Sequence, residues 1–225
     1  MSPSRRPFVF INSAMSVDGK ISSVEKKQVQ ISGKADLIRV DALRAESDAV
    51  MVGVGTVLAD DPWLRVRSGL LRRARIEAGK PENPLRVVAD SLARTPPTAK
   101  VMGQGCLIAI SAAASDNRAA RLSQSCEIAL CGKKMVDLPE LMTLLYNKGV
   151  HKLMVEGGAT LNWSLITAGL VDELYVYVGA LIIGGKDAPT LMDGTGFTSG
   201  FPGLELISLE ALDSGALMRW RVVRA

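Results

Sequence analysis

A single histidine, His151, stands in 225 residues, and the three cysteines, Cys106, Cys126 and Cys131, form no CxxC pair. The first scarcity argues against a Ser-His-Asp hydrolase, in which that lone imidazole would have to be the base. The second fits neither a disulfide framework nor a zinc site, so no metal is expected. Long apolar runs are missing too. A membrane helix needs roughly 20 apolar residues, and the longest candidate, LYVYVGALII from Leu174, is about half that and β-rich. The start, MSPSRRPFVF, is basic and then apolar, but Asn12, Ser13, Asp18 and Lys20 follow too soon for a signal peptide. The expectation is a cytoplasmic protein without a membrane partner.

Hydrophobic residues make up 48% of the chain and charged residues 22%, which suits a soluble protein with a substantial core, read as a single domain over residues 1–225. A net charge of +4 attracts anions but is too mild to argue for nucleic acid. Arg65, Arg67, Arg72, Arg73, Arg75 and Lys80 gather in one segment with few aromatics to stack bases on. That reads as a solvated loop or, more sharply, as one or two phosphate-facing arginines. No nucleic-acid partner is expected.

Strand-like runs begin at Phe8, Asp48, Leu85, Cys106, Cys126 and Lys152. Helical patterns separate several of them. Ser32 is the expected N-cap of a helix to Ala45 with Leu37, Val40 and Leu43 on one face, and Asp137 that of a helix ending at Gly149. Short apolar strands alternating with helices predict a mainly parallel α/β sheet. The last quarter changes character: DELYVYVGALIIGG, LELISLEAL and ALMRWRVVRA are strands with few helical signals between them, and Asp213, Ser214 and Gly215 read as a hairpin turn. The stretch from Ser68 to Pro84 reads as a long surface loop.

Three clusters carry chemistry. In VEGGATLNWS, an apolar strand ends in Glu156 and passes through Gly157 and Gly158 into a helix. Bare backbone at a helix N-terminus is an anion cradle, to which Thr160 and Ser164 could add hydroxyls, or else simply a tight turn that needs glycine. The carboxylate of Glu156 beside it favours the cradle, with the glutamate facing polar groups of a substrate. In AVMVGVGTVLADDPWLRVR, a strand runs into Gly53 and Gly55, then Thr56, Asp60, Asp61, Arg65 and Arg67. Leu58 stands where a Rossmann fingerprint needs its third glycine, and Asp60 and Asp61 before Pro62 could simply cap a turn. In NSAMSVDGKISS, small residues at Ser13, Ala14 and Ser16 leave room for a flat ligand, while Asp18-Gly19 by itself predicts a turn.

Taken in order and spacing, SVDGK, LRAESDAVMVGVGTVLADDPWL, PLRVVAD, VEGGATLNWSLITAGLVDELYVYVGALIIGG and APTL resemble the riboflavin-pathway reductase family, including the reductase domain of bacterial deaminase-reductases. The resemblance implies a dihydrofolate-reductase-like α/β fold with flanking helices, NADPH as cofactor, a phosphorylated pyrimidine as substrate, and a homodimer. It implies reduction of a phosphoribosylamino group to a phosphoribitylamino group, with hydride delivered to C1′ of an imine-like open form of the sugar. Carried over position by position, Ala14, Thr56, Asp60, Ser91 and the turn through Gly157, Gly158, Ala159, Thr160 and Leu161 match NADPH positions. Arg44, Leu64, Arg67 and Glu156 match substrate positions, as does Asn12, which stands where bacterial fused members often carry a first-strand lysine. Those members also often have a Trp-Ile pair where this chain has Gln30-Ile31. Both departures point to the stand-alone branch, which reduces 2,5-diamino-6-ribosylamino-4(3H)-pyrimidinone 5′-phosphate before deamination. The zinc-deaminase signature is absent, so this chain is not expected to deaminate its own substrate. Two alternatives remain: reduction of the deaminated uracil compound, and a nucleotide-binding module without turnover.

Overall fold

A computed structural model describes residues 5–223, which form two compact units. The first comprises Asp41–Met154 with the stretch up to Phe8, and the second comprises Val9–Val40 with the chain from Val155 onward.

In the first unit the elements run β2 (Ala49–Gly53), α2 (Val54–Asp60), α3 (Gly69–Glu77), β3 (Leu85–Ala89), β4 (Cys106–Ile110), α4 (Asp116–Ser123), β5 (Glu127–Leu130), α5 (Leu138–Asn147) and β6 (Lys152–Val155). The strands lie in the order β5-β4-β3-β2-β6. The pairings β2/β3, β3/β4 and β4/β5 are parallel, with Met51 opposite Val87 and Val88 opposite Ile108. These strands are short continuous apolar runs because both faces are covered: Val50, Met51, Val52, Val87, Val88, Leu107 and Ile108 expose no surface. Each such side chain contributes about 1.5–3 kcal/mol by leaving water. Helix α5 starts as expected, with the Asp137 carboxylate accepting the Glu140 amide (3.0 Å) and Gly149 closing it at φ +85°.

The stretch after Ser68 is not a loop. Ser68 caps α3, its hydroxyl accepting the Leu71 amide at 3.4 Å. The sequence conceals this helix because its inward residue is charged: Leu70 and Ile76 are exposed, while Arg75 is 4% exposed. Its guanidinium donates to the carbonyls of Ala45 (2.6 Å), Ser47 (2.7 Å) and Pro81 (2.9 Å). No apolar period survives in such a helix.

The second unit contains β1 (Phe8–Ser16, from Val9 on), α6 (Ala159–Thr167), β7 (Glu173–Gly179), β8 (Gly203–Leu212) and β9 (Gly215–Val223), with strand order β1-β7-β9-β8. β1 and β7 are parallel, and β7/β9 and β9/β8 antiparallel, so the parallel-then-antiparallel expectation holds. Asp213 and Ser214 make the β8-β9 turn, with Asp213 at φ +50°. Helix α1 (Lys34–Glu46) starts in this unit and ends in the other. Its N-terminus is not capped by Ser32. The Asp213 carboxylate instead accepts the amides of Ala35 (3.1 Å) and Asp36 (3.0 Å) from the hairpin tip. Nor is its apolar face the buried one. Leu37 and Ile38 are exposed, and the buried positions are the carboxylates Asp36 and Asp41.

Candidate active site

Six of the expected site residues fall in the first unit. Thr56 lies on α2 and Asp60 is its last residue. The Asp60 carboxylate is half-buried and has no hydrogen-bond donor among the described residues, and burial pushes its pKa above the ordinary aspartate value. Its neighbour Asp61 is the structural member of the pair. It sits at φ +43°, its carboxylate accepts the Lys100 amide (2.7 Å), and it pairs with the Lys100 ammonium (3.6 Å). A carboxylate left without partners in a semi-buried setting is available for a ligand's donors.

The segment after it is held in a fixed shape from α1. Asp41 accepts the amides of Arg67 (2.6 Å) and Ser68 (2.8 Å), Arg44 Nη1 donates to the Arg65 carbonyl (3.2 Å), and Asn83 accepts the Val66 amide (3.0 Å). Leu64, 1% exposed, is held at φ +49°, an unfavourable conformation for a branched side chain that surrounding contacts must enforce. Arg44, Leu64 and Arg67 are thus brought together on one organised loop and its anchoring helix, with the Arg67 side chain exposed. Asp41 was missed in the sequence; an aspartate inside a helix carries no sign that it will receive two amides of a distant loop. Ser91 follows β3. Its hydroxyl accepts the Val136 amide (3.0 Å), and its carbonyl accepts from the Ser111 amide (3.2 Å) and hydroxyl (2.9 Å). Asp90 before it is fully buried and holds the turn through the Thr95 amide (2.6 Å) and hydroxyl (2.8 Å).

The remaining eight fall in the second unit. Asn12 and Ala14 share one face of β1, opposite Tyr175 and Tyr177 of β7. Asn12 is 7% exposed and its Oδ1 accepts Arg39 Nη2 at 2.8 Å. Ala14 packs against the cluster of Ile31, Tyr177 and Leu217. After β6, Glu156 is half-buried, and Gly157 (φ +108°) and Gly158 (φ +94°) lead into α6. A side chain at Gly157 would be strained by its φ, yet its Cβ would meet nothing within 4 Å. Gly158 offers no side-chain cap, and the first α6 amide to find a carbonyl is that of Asn162, on Gly158 (2.9 Å). The amides of Ala159, Thr160 and Leu161 therefore remain for an anion, which is the geometry of a phosphate cradle.

Segments singled out far apart in the chain meet here. Asp18 of SVDGK accepts the amides of Ile183 (3.1 Å) and Gly184 (2.7 Å) and the Ser16 hydroxyl (2.6 Å), bonds that hold its carboxyl down at about 2. Lys20 Nζ donates to the carbonyl of Ala188, the first residue of APTL (3.0 Å). The loop beyond closes on α6: Asn162 Nδ2 donates to the Leu191 carbonyl (2.9 Å), the Asp193 amide to the Ala159 carbonyl (3.2 Å), and Phe197 lies 4.7 Å from the Trp163 ring.

Comparison with known proteins bears directly on this arrangement. Residues 7–218 match the family described as the RibD C-terminal domain. The chain is 50% identical over 194 residues to a 2,5-diamino-6-ribosylamino-4(3H)-pyrimidinone 5′-phosphate reductase of Archaeoglobus fulgidus, covering 85% of this chain and 89% of that protein. It is 46% identical over 193 residues to the reductase of the same name from Methanothermobacter thermautotrophicus, covering 85% and 86%. Among solved structures, Acinetobacter baumannii RibD superposes with a TM-score of 0.79 at 26% identity, over 98% of this chain and 59% of that one.

Proposed function

This chain belongs to the RibD C-terminal domain family, and from that premise we propose that it is an NADPH-dependent reductase of 2,5-diamino-6-ribosylamino-4(3H)-pyrimidinone 5′-phosphate, acting in riboflavin biosynthesis with residues 1–225 as one reductase domain. The observation that carries the substrate is the 50% identity over nearly the whole length of an enzyme with that name. The dihydrofolate-reductase-like fold and the uncapped glycine turn before α6 support the cofactor.

The residues present fit a dinucleotide. Gly157 and Gly158 let a phosphate approach the backbone, the amides of Ala159 to Leu161 donate to it, and Thr160, exposed on the first turn, adds a hydroxyl. Thr56, Ser91 and Ala14 offer further contacts, and the Asp60 carboxylate, which has no donor among the described residues, accepts from ribose hydroxyls or an amide NH₂. Bound NADPH supplies the hydride that reduces C1′ of the sugar. On the substrate side, Arg44 and Arg67 bring the bidentate cations that a ribose phosphate requires, Leu64 gives an apolar surface, and Glu156 accepts from sugar hydroxyls or ring amino groups. Asn12 provides a neutral amide. Alignment of cofactor and substrate is the protein's contribution to the rate.

A homodimer in the cytoplasm completes the reading. The outer strand β8 displays Leu204, Leu206 and Leu209 at 44%, 51% and 61% exposure, an apolar edge suited to a second copy. The test is NADPH oxidation with the diamino compound and its deaminated counterpart in parallel. Selective turnover of the first is expected. Selective turnover of the second replaces the substrate, and turnover of neither with NADPH still bound leaves a nucleotide-binding module.

A further inference from the structure

We propose that Arg39 of α1 is a positioning residue for substrate recognition, acting through Asn12. It fixes the Asn12 carboxamide so that its NH₂ group is the one presented as a donor to an acceptor oxygen of the pyrimidine substrate. This rests on the reading of Asn12 as a substrate contact.

A carboxamide in a protein can turn either end toward a neighbour, and the neighbour's chemistry decides which. Here the neighbour is a guanidinium, which only donates. Arg39 Nη2 stands 2.8 Å from Asn12 Oδ1, and the reversed amide would set NH₂ against N–H. Asn12 Nδ2 is consequently turned away from Arg39, and it has no acceptor among the described residues. Accepting from a charged donor also polarises the amide and strengthens Nδ2 as a donor.

Arg39 is itself fixed. Its Nε and Nη2 lie 2.9 and 2.7 Å from Asp36 Oδ1, and Asp36 is 1% exposed. Asp36 is held in turn by its own amide, bound to the hairpin-tip carboxylate of Asp213. The third guanidinium nitrogen, Nη1, is buried without an acceptor among the described residues, of which Asp36 and Asn12 set where the fork sits. A rigid chain of groups therefore runs from the β8-β9 turn through the first turns of α1 to one polar side chain on β1.

The experiment compares Asn12→Asp, Arg39→Gln, and their combination, measuring pyrimidine KM by NADPH oxidation and pyrimidine Kd by calorimetry, with NADPH KM and Tm alongside. Asn12→Asp keeps an acceptor for Arg39 and replaces the NH₂ donor by an anionic oxygen that can only accept. Because Arg39→Gln strands the buried Asp36, the pair Arg39→Gln/Asp36→Asn serves as the folded alternative. The expected result is a rise of about tenfold in pyrimidine KM and Kd for each change, an unchanged NADPH KM, and a combination no worse than the poorer single variant. Multiplying effects, or an Arg39 change that moves only Tm, overturns the inference while leaving Asn12 as a contact. An Asn12→Asp protein with wild-type pyrimidine KM and Kd overturns both. A wild-type protein that neither binds nor reduces the pyrimidine overturns the function on which the inference stands.

Discussion

Replacing Gly157 by alanine separates the backbone requirement of the glycine turn from its ligand requirement. At φ +108° a residue with a side chain is held in a sparsely populated region, at about 1–3 kcal/mol. For a chain of this size each kcal/mol moves Tm by about 2–4 °C, so a fall of roughly 2–12 °C is expected. The protein imposes no further steric cost, since a Cβ there meets nothing within 4 Å. That open space is where a phosphate must come to reach the amides of Ala159, Thr160 and Leu161. A methyl group in it costs at least one charge-assisted hydrogen bond of about 1.5–3 kcal/mol, a roughly 10- to 150-fold rise in NADPH Kd. Gly169→Ala is the matched control: it has φ +64°, equally open surroundings, and a place beyond the other end of α6. Calorimetric Tm and NADPH fluorescence titration are measured on both. Both variants should lose stability and Gly157→Ala alone should lose NADPH. A folded Gly157→Ala protein with wild-type NADPH affinity refutes the cradle.

Asp60 has a raised pKa from burial, so its ionised form burdens the fold, and stability is lost as pH rises through the carboxyl's folded pKa. Asp60→Asn should therefore raise Tm at pH 7, leave it unchanged in acid below both pKa values, and weaken NADPH binding by titration. Asp18 has the opposite sign. Its folded pKa of about 2 lies below 3.8, so its contribution is present above the unfolded value and disappears as pH falls toward about 2. The Tm gap between wild type and Asp18→Asn should close over that window in a pH series. Arg75→Met should cost about 2–4 kcal/mol in urea unfolding, because three carbonyls lose a charged donor and two of them, Ala45 and Ser47, lie at the C-terminal end of α1. Asp213→Ala should cost about 1 kcal/mol as a lost helix cap, and should also raise pyrimidine KM if α1 carries Arg39 to Asn12.

The pair Asp60-Asp61 shows where the sequence stops being informative. Before Pro62 the two look interchangeable, yet Asp61 takes the Lys100 amide across 39 residues and Asp60 accepts from none of the described residues. In α1 the periodic apolar residues Leu37, Val40 and Leu43 suggested an inward face, and the chain buries Asp36 and Asp41 instead. Each has a distant partner that compensates its burial, which no local pattern records.

By itself the sequence determined the strands and their character, because short apolar runs bounded by turn residues have few other folds open to them. It also determined the glycine turn before α6, because positive φ without a side chain is a local demand written in residue type. Tertiary structure alone decided the polar architecture: the hairpin-tip carboxylate that caps α1 from 177 residues away, the guanidinium that orients Asn12, and the arginine that makes Ser68–Pro84 begin as a helix. Hydrogen bonds between remote residues depend on where the chain brings donors and acceptors together, and that placement has no period along the sequence to be read.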